Sequence, residues 1–131
     1  MNYHITTILK NVSFDEATEK VIHELKNEGF GILTEIDMKA TLKKKLNVDF
    51  YNYKILGACN PSFAYKALQA EDKIGTMLPC NVIVQEKHKG MIEVSGVDPA
   101  ASMIAVENKD LIETAEKVRE KLIRVISSLK E

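Results

Sequence analysis

Apolar residues recur at every second position in some stretches of this chain and at every third or fourth in others, and the switches mark out its elements. Tyr3 to Leu9, with β-branched Ile5, Thr6, Thr7 and Ile8, predicts a strand. Ser13-Phe14-Asp15-Glu16 opens a helix, because the hydroxyl and the carboxylate of such a box each satisfy a free backbone N–H. Phe14, Ala17, Val21 and Leu25 form its buried stripe, and Gly29 stops it, since a left-handed residue costs glycine no steric penalty. Phe30 to Ile36 predicts a second strand, with Phe30, Ile32 and Ile36 on one face and Leu33 on the other. Asp37 caps a short helix whose Met38, Leu42 and Leu46 face inward. Its Lys39, Lys43, Lys44 and Lys45 read as a solvated face rather than an anion site.

Tyr51 to Ala58 predicts a third strand, with Tyr51, Tyr53, Ile55 and Gly57 on one face. Asn60-Pro61 then starts a helix striped by Phe63, Ala64, Ala67 and Leu68, which ends around Glu71 to Gly75. Asn81 to Gln85 and Met91 to Ser95 form a hairpin turned at His88-Lys89-Gly90. Asp98-Pro99 starts a short helical turn through Met103. The last helix, from about Lys109 to Leu129, carries the strongest periodic signal: Leu111, Ala115, Val118, Leu122, Val125 and Leu129. Ile112, Ile123 and Ile126 widen that stripe enough to suggest a second subunit. The order β-α-β-α-β-α-β-β-α predicts an α+β two-layer sandwich, a mixed β-sheet with amphipathic helices on one face.

Composition narrows the class. A chain of 131 residues, 45% of them apolar, is one domain (1–131) able to bury a core without a disulfide or metal staple. A formal net charge of -1 argues against a nucleic-acid partner. No apolar run approaches the ~18 residues that would cross a bilayer, and the N-terminus has no secretory pattern. With two cysteines in all, the expectation is a cytoplasmic protein with free thiols and no membrane partner.

Those two cysteines sit in look-alike stretches, Gly57-Ala58-Cys59-Asn60-Pro61 and Leu78-Pro79-Cys80-Asn81-Val82. Cys59 ends a strand just before a helix N-terminus, where free N–H groups lower a thiol pKa or hold an anion. Asn60 and Asn81 add amide groups, so the two stretches are expected to form a small polar pocket at one rim of the sheet. That requires the third and fourth strands to be antiparallel neighbours. Against this stands the plain role of cysteine as a buried apolar filler. Other chemistry is sparse. His4, His23 and His88 are dispersed, so no metal site or cofactor is expected. Gly29-Phe30-Gly31 lacks the features of a phosphate loop, and no serine stands in a nucleophile elbow. Tyr51, Tyr53 and Tyr65 suit a core or interface better than a pocket.

Four phrases carry a family resemblance: Gly29-Phe30-Gly31-Ile32-Leu33-Thr34-Glu35-Ile36-Asp37 with Ala40-Thr41-Leu42, Tyr53 to Pro61 with Ala64 and Leu68, Gly75 with Leu78 to Val84, and Asp98-Pro99. In this order they resemble the bacterial and archaeal domain-of-unknown-function family number 302. The resemblance implies a compact α+β domain that can form dimers, and a signature of Cys59, Asn60, Pro61, Pro79, Cys80, Asn81 and Asp98. It implies no activity. Three readings stand together: a small-ligand or anion-binding module around the two Cys-Asn stretches; a thiol redox or sulfur-handling protein in which Cys59 attacks and Cys80 resolves; and a structural homodimerising domain.

Overall fold

The computed structural model describes residues 2–130. In chain order the elements are β1 (His4–Lys10), α1 (Phe14–Asn27), β2 (Gly31–Asp37), α2 (Met38–Leu46), β3 (Asn52–Cys59) and α3 (Pro61–Ala70). A 3-10 segment (Asp72–Met77) leads into β4 (Cys80–His88) and β5 (Met91–Val97), followed by α4 (Pro99–Ser102), a 3-10 turn (Ile104–Val106) and α5 (Lys109–Ser128). The fold is α+β, in the expected order.

Local signals fixed most boundaries. The Ser13 hydroxyl accepts from the Glu16 N–H at 3.1 Å, and Asp37 accepts from the Ala40 N–H at 2.9 Å. Gly29 lies at φ +88 just past α1, and Gly90 at φ +83 in the turn between β4 and β5. Leu111, Ala115, Val118, Leu122, Val125 and Leu129 are all buried. No helix among the described residues is long and apolar enough to cross a membrane.

The sheet order is β1-β5-β4-β3-β2, and every pairing is antiparallel. This corrects the expected mixed sheet. A parallel neighbour requires a connecting helix laid back across the sheet. Here α2 buries no residue fully and α3 packs beside α5, so both connections return the chain antiparallel to the strand it left. Only α1 crosses the sheet, joining strands at opposite edges.

α1 and α5 cover one face, where Val21, Leu25, Leu122 and Val125 meet Leu56, Val82, Val84, Ile92 and Val94. The other face is bare of helices along Thr6, Ser95, Ile83 and Ile55, paired across β1, β5, β4 and β3. The register of β2 shifts between Ile32 and Thr34. Ile32 therefore lies opposite Ala58, on the covered side, while Ile36 lies opposite Ile55 on the open side. The expectation that Ile32 and Ile36 share a face fails for that reason, since one extra residue inverts everything beyond it.

Candidate functional site: an apolar cavity at the rim of the sheet

The two Cys-Asn stretches do converge. β3 and β4 are antiparallel neighbours, with Ala58 opposite Cys80 and Gly57 opposite Asn81. Beside this rim lies a cavity of about 340 Å³. Ala58, Cys59 and Cys80 supply its sheet side, Phe63, Ala64, Ala67 and Leu68 its α3 side, and Leu111, Ala115 and Val118 its α5 side. Leu78 and Pro79 before β4, and Pro99 and Met103 around α4, complete much of the wall.

The cavity lies at a seam between two packed clusters. One is the main core between the sheet, α1 and α5; the other comprises Ala67, Ile74, Met103, Leu111 and Ala115. Where α3 meets α5, Ala64, Ala67 and Ala115 stand among larger residues, and their short side chains leave volume between the clusters unfilled. The lining is almost wholly carbon. The expected polar pocket is therefore corrected: the strand rim opens on an apolar hollow.

The expected site residues divide. Cys59, Asn60, Pro79 and Cys80 line the cavity; Pro61, Asn81 and Asp98 do not. Cys80 is buried, and burial, aided by the neighbouring Cys59 sulfur, pushes its thiol pKa up to about 11. It is a neutral thiol at neutral pH. Cys59 is half-buried, and both cysteines are free. Cys80 faces Ala58 across the ladder, and successive side chains leave a strand on opposite faces, so Cys59 and Cys80 are not a directly opposed pair.

Asn60 stands at the N-cap position of α3 without capping it. Its Nδ2 donates to the Glu28 carbonyl at 3.2 Å, fastening the end of α1 to the start of α3. Pro61 is exposed in the first turn of α3. Pro79 follows a cis peptide bond and leans on Gly57, where an added Cβ would lie 2.8 Å from the Pro79 Cγ. Asn81 is exposed opposite Gly57. Asp98 is a buried clamp: Oδ1 accepts from the Ala100 and Ala101 N–H groups at 3.0 and 3.3 Å, and Oδ2 from Arg119 Nε at 3.0 Å. It holds α4, and with it Pro99 and Met103, against α5. Tyr51 and Tyr53 cluster with Phe50, the Phe50 and Tyr51 rings stacked with centroids 4.1 Å apart. None of the three lines the cavity.

Sequence reasoning assigned Phe63, Ala64, Ala67, Leu111, Ala115 and Val118 to packing alone, yet they form most of the wall. The available signal was the pair Ala64 and Ala67 in the α3 stripe, short side chains at the positions that face another helix. Among the described residues no three His, Cys, Asp or Glu side chains gather to hold a metal.

Comparison with known proteins places this architecture. Comparison with curated proteins gives no match. The crystal structure of an uncharacterized conserved DUF302 protein from Bacillus stearothermophilus is similar, with a TM-score of 0.90 and 25% identity over 99% of this chain and 100% of that one. A family model, the domain of unknown function DUF302, matches residues 5–129. With the same strands and helices and a match over nearly its whole length, the chain belongs to the DUF302 family.

Proposed function

We propose that this chain is a small-molecule binding domain whose ligand presents an apolar body to the cavity between the β3–β4 rim, α3 and α5. The supporting observation is the hollow of about 340 Å³ walled by carbon and bordered by Cys59 and Cys80. Ligand sites are typically concave, mostly apolar and ~300–1,000 Å³ in volume. At ~30 Å³ per water-sized unit, the space takes on the order of ten methylene groups. Asn60, Pro79 and the two cysteines are its wall rather than its reactive groups. A thiol-exchange role has less support, because Cys80 holds its proton to about pH 11 and does not oppose Cys59.

The test pairs a ligand screen with a cavity-filling variant. Ligands that prefer the native state raise its melting temperature, so neutral aliphatic or aromatic compounds of about ten carbons are expected to shift it by several degrees. Ala115→Leu, which fills the hollow, is expected to stay folded and lose that shift. No shift with the wild-type chain, or an undiminished shift in the variant, sinks the reading.

A homodimer has separate support in the helix-free face of the sheet. Ile36, Ile55, Ile83 and Tyr53 place apolar side chains on it. Five strands at ~4.8 Å spacing, each about seven residues long, give a flat footprint on the order of 550 Å². That is comparable with the ~800 Å² of accessible surface one partner gives to a standard interface. A second copy offers the same flat, mostly uncharged surface.

A further inference from the structure

Phe63 stands on a boundary between apolar and polar surroundings. Its ring lines the carbon-walled cavity and, with Thr114, also lines a polar groove between α3 and α5. Lys66 of α3 places its Nζ 5.7 Å from the ring centroid, and Lys121 of α5 places its Nζ 5.9 Å from it. Two ammonium groups thus stand within about 6 Å of one ring that borders both spaces.

Their charge is poorly compensated. Lys121 reaches one carboxylate oxygen, Glu28 Oε1, at 3.8 Å, and Arg124 Nε already occupies that oxygen at 3.1 Å. Lys66 makes no ion pair among the described residues. Lys117 lies one turn from Lys121 on α5 and lines the same groove, with Glu113 one turn to its other side. The groove's carboxylates, Asp110 and Glu113, lie toward the other end of α5. At ~1.5 Å rise per residue they are about 16 and 12 Å along the helix axis from Lys121. The groove's carboxylates thus lie well along α5 from Lys121, the lysine of α5 nearest the Phe63 ring.

An apolar hollow that shares one ring with a groove, with an ammonium group from each of two helices near that ring, matches a molecule with a hydrocarbon end and an anionic end. We propose that the ligand is an aliphatic carboxylate of about ten carbons, its chain in the cavity and its carboxylate seated beside Phe63 between Lys66 and Lys121. This rests on the apolar-ligand reading above and adds the chemistry of the head group. The carboxylate takes charge-assisted hydrogen bonds from the ammonium groups beside the ring, and the chain fills the seam between the two core clusters.

The test holds the tail constant and varies the head. The neutral fluorophore N-phenyl-1-naphthylamine reports the cavity, and decanoate, 1-decanol and decyltrimethylammonium compete for it below their aggregation concentrations. Decanoate is expected to displace the probe at about tenfold lower concentration than either competitor, with the advantage shrinking as salt rises. In Lys66→Glu, and in Lys121→Gln, the ratio of decanoate to decanol affinity is expected to collapse toward one, with circular dichroism reporting an intact fold. Equal competition by all three decyl compounds, or a decanoate advantage that survives both substitutions, overturns the head-group assignment alone. Failure of the wild-type chain to bind the fluorophore and all three compounds removes the cavity reading itself, and this inference with it.

Discussion

Burial couples the Cys80 thiol to pH. Its pKa rises from an ordinary value of 9.0 to about 11 in the fold, mainly because the thiolate would lose its hydration there. The native state holds the proton more tightly than the unfolded chain. Cys80 therefore contributes stability in full below about pH 9, and that contribution drains away as pH climbs through about 11. Two pH units correspond to about 2–3 kcal/mol. Urea midpoints followed from pH 8 to 11 should fall further for the wild type than for Cys80→Ala, with lysine titration common to both. Parallel curves would show that the thiol is not coupled to folding. Thr7 presents a different strain: its Oγ1 is buried with no hydrogen-bond partner among the described residues. Thr7→Val keeps the shape and removes the unsatisfied hydroxyl, so it should stabilise the protein by about 1 kcal/mol and raise the melting temperature a few degrees. A lower melting temperature would mean that the hydroxyl has a partner in solution.

Among the elements, β3 is the most constrained by its neighbours. At Gly57 a Cβ would run into the Thr34 hydroxyl from β2 and lie 2.8 Å from Pro79 Cγ before β4. The strand therefore lets β2 and the Pro79 turn close over it only because that position has no side chain. Gly57→Ala should cost about 1–3 kcal/mol through displaced neighbours, read as a lower urea midpoint. Adding Thr34→Ala, which removes the hydroxyl, should recover part of that loss; no recovery would place the strain on the Pro79 side. Asp98 plays the complementary part for α4, since a helix of four residues has little stability of its own and depends on its cap and on Arg119. Cap and turn signals for these elements were readable because each spans three or four adjacent residues. The β2 bulge was not, because Leu33 and Thr34 carry no mark of which residue the ladder will skip.

On the scale of the whole molecule, the sheet is covered on one side and bare on the other. If the bare face is an interface, the chain should sediment at twice its 14.7 kDa mass, and Ile83→Lys at the middle of that face should return it to a monomer. A wild-type mass of one chain at about 100 μM would exclude a stable dimer of micromolar affinity. The cavity belongs to this scale too. No element contains it; it exists because α3, α5 and the β3–β4 rim meet without enough side-chain volume to close the seam.

The order of strands and helices, the Ser13, Asp37 and Asp98 caps and the buried stripe of α5 were determined by the sequence itself, because short-range hydrogen bonds and the helical repeat encode them within a few residues. The adjacency of Cys59 and Cys80 was posed there only as one of two strand directions. Tertiary structure decided between them: pairing energy resides in contacts between residues distant along the chain, and these made every strand pair antiparallel. It also decided that the rim would open on carbon rather than on amides. Asn60 turned to the Glu28 carbonyl and Asn81 to the outside, while residues that looked like simple packing were held far enough apart to leave a hollow.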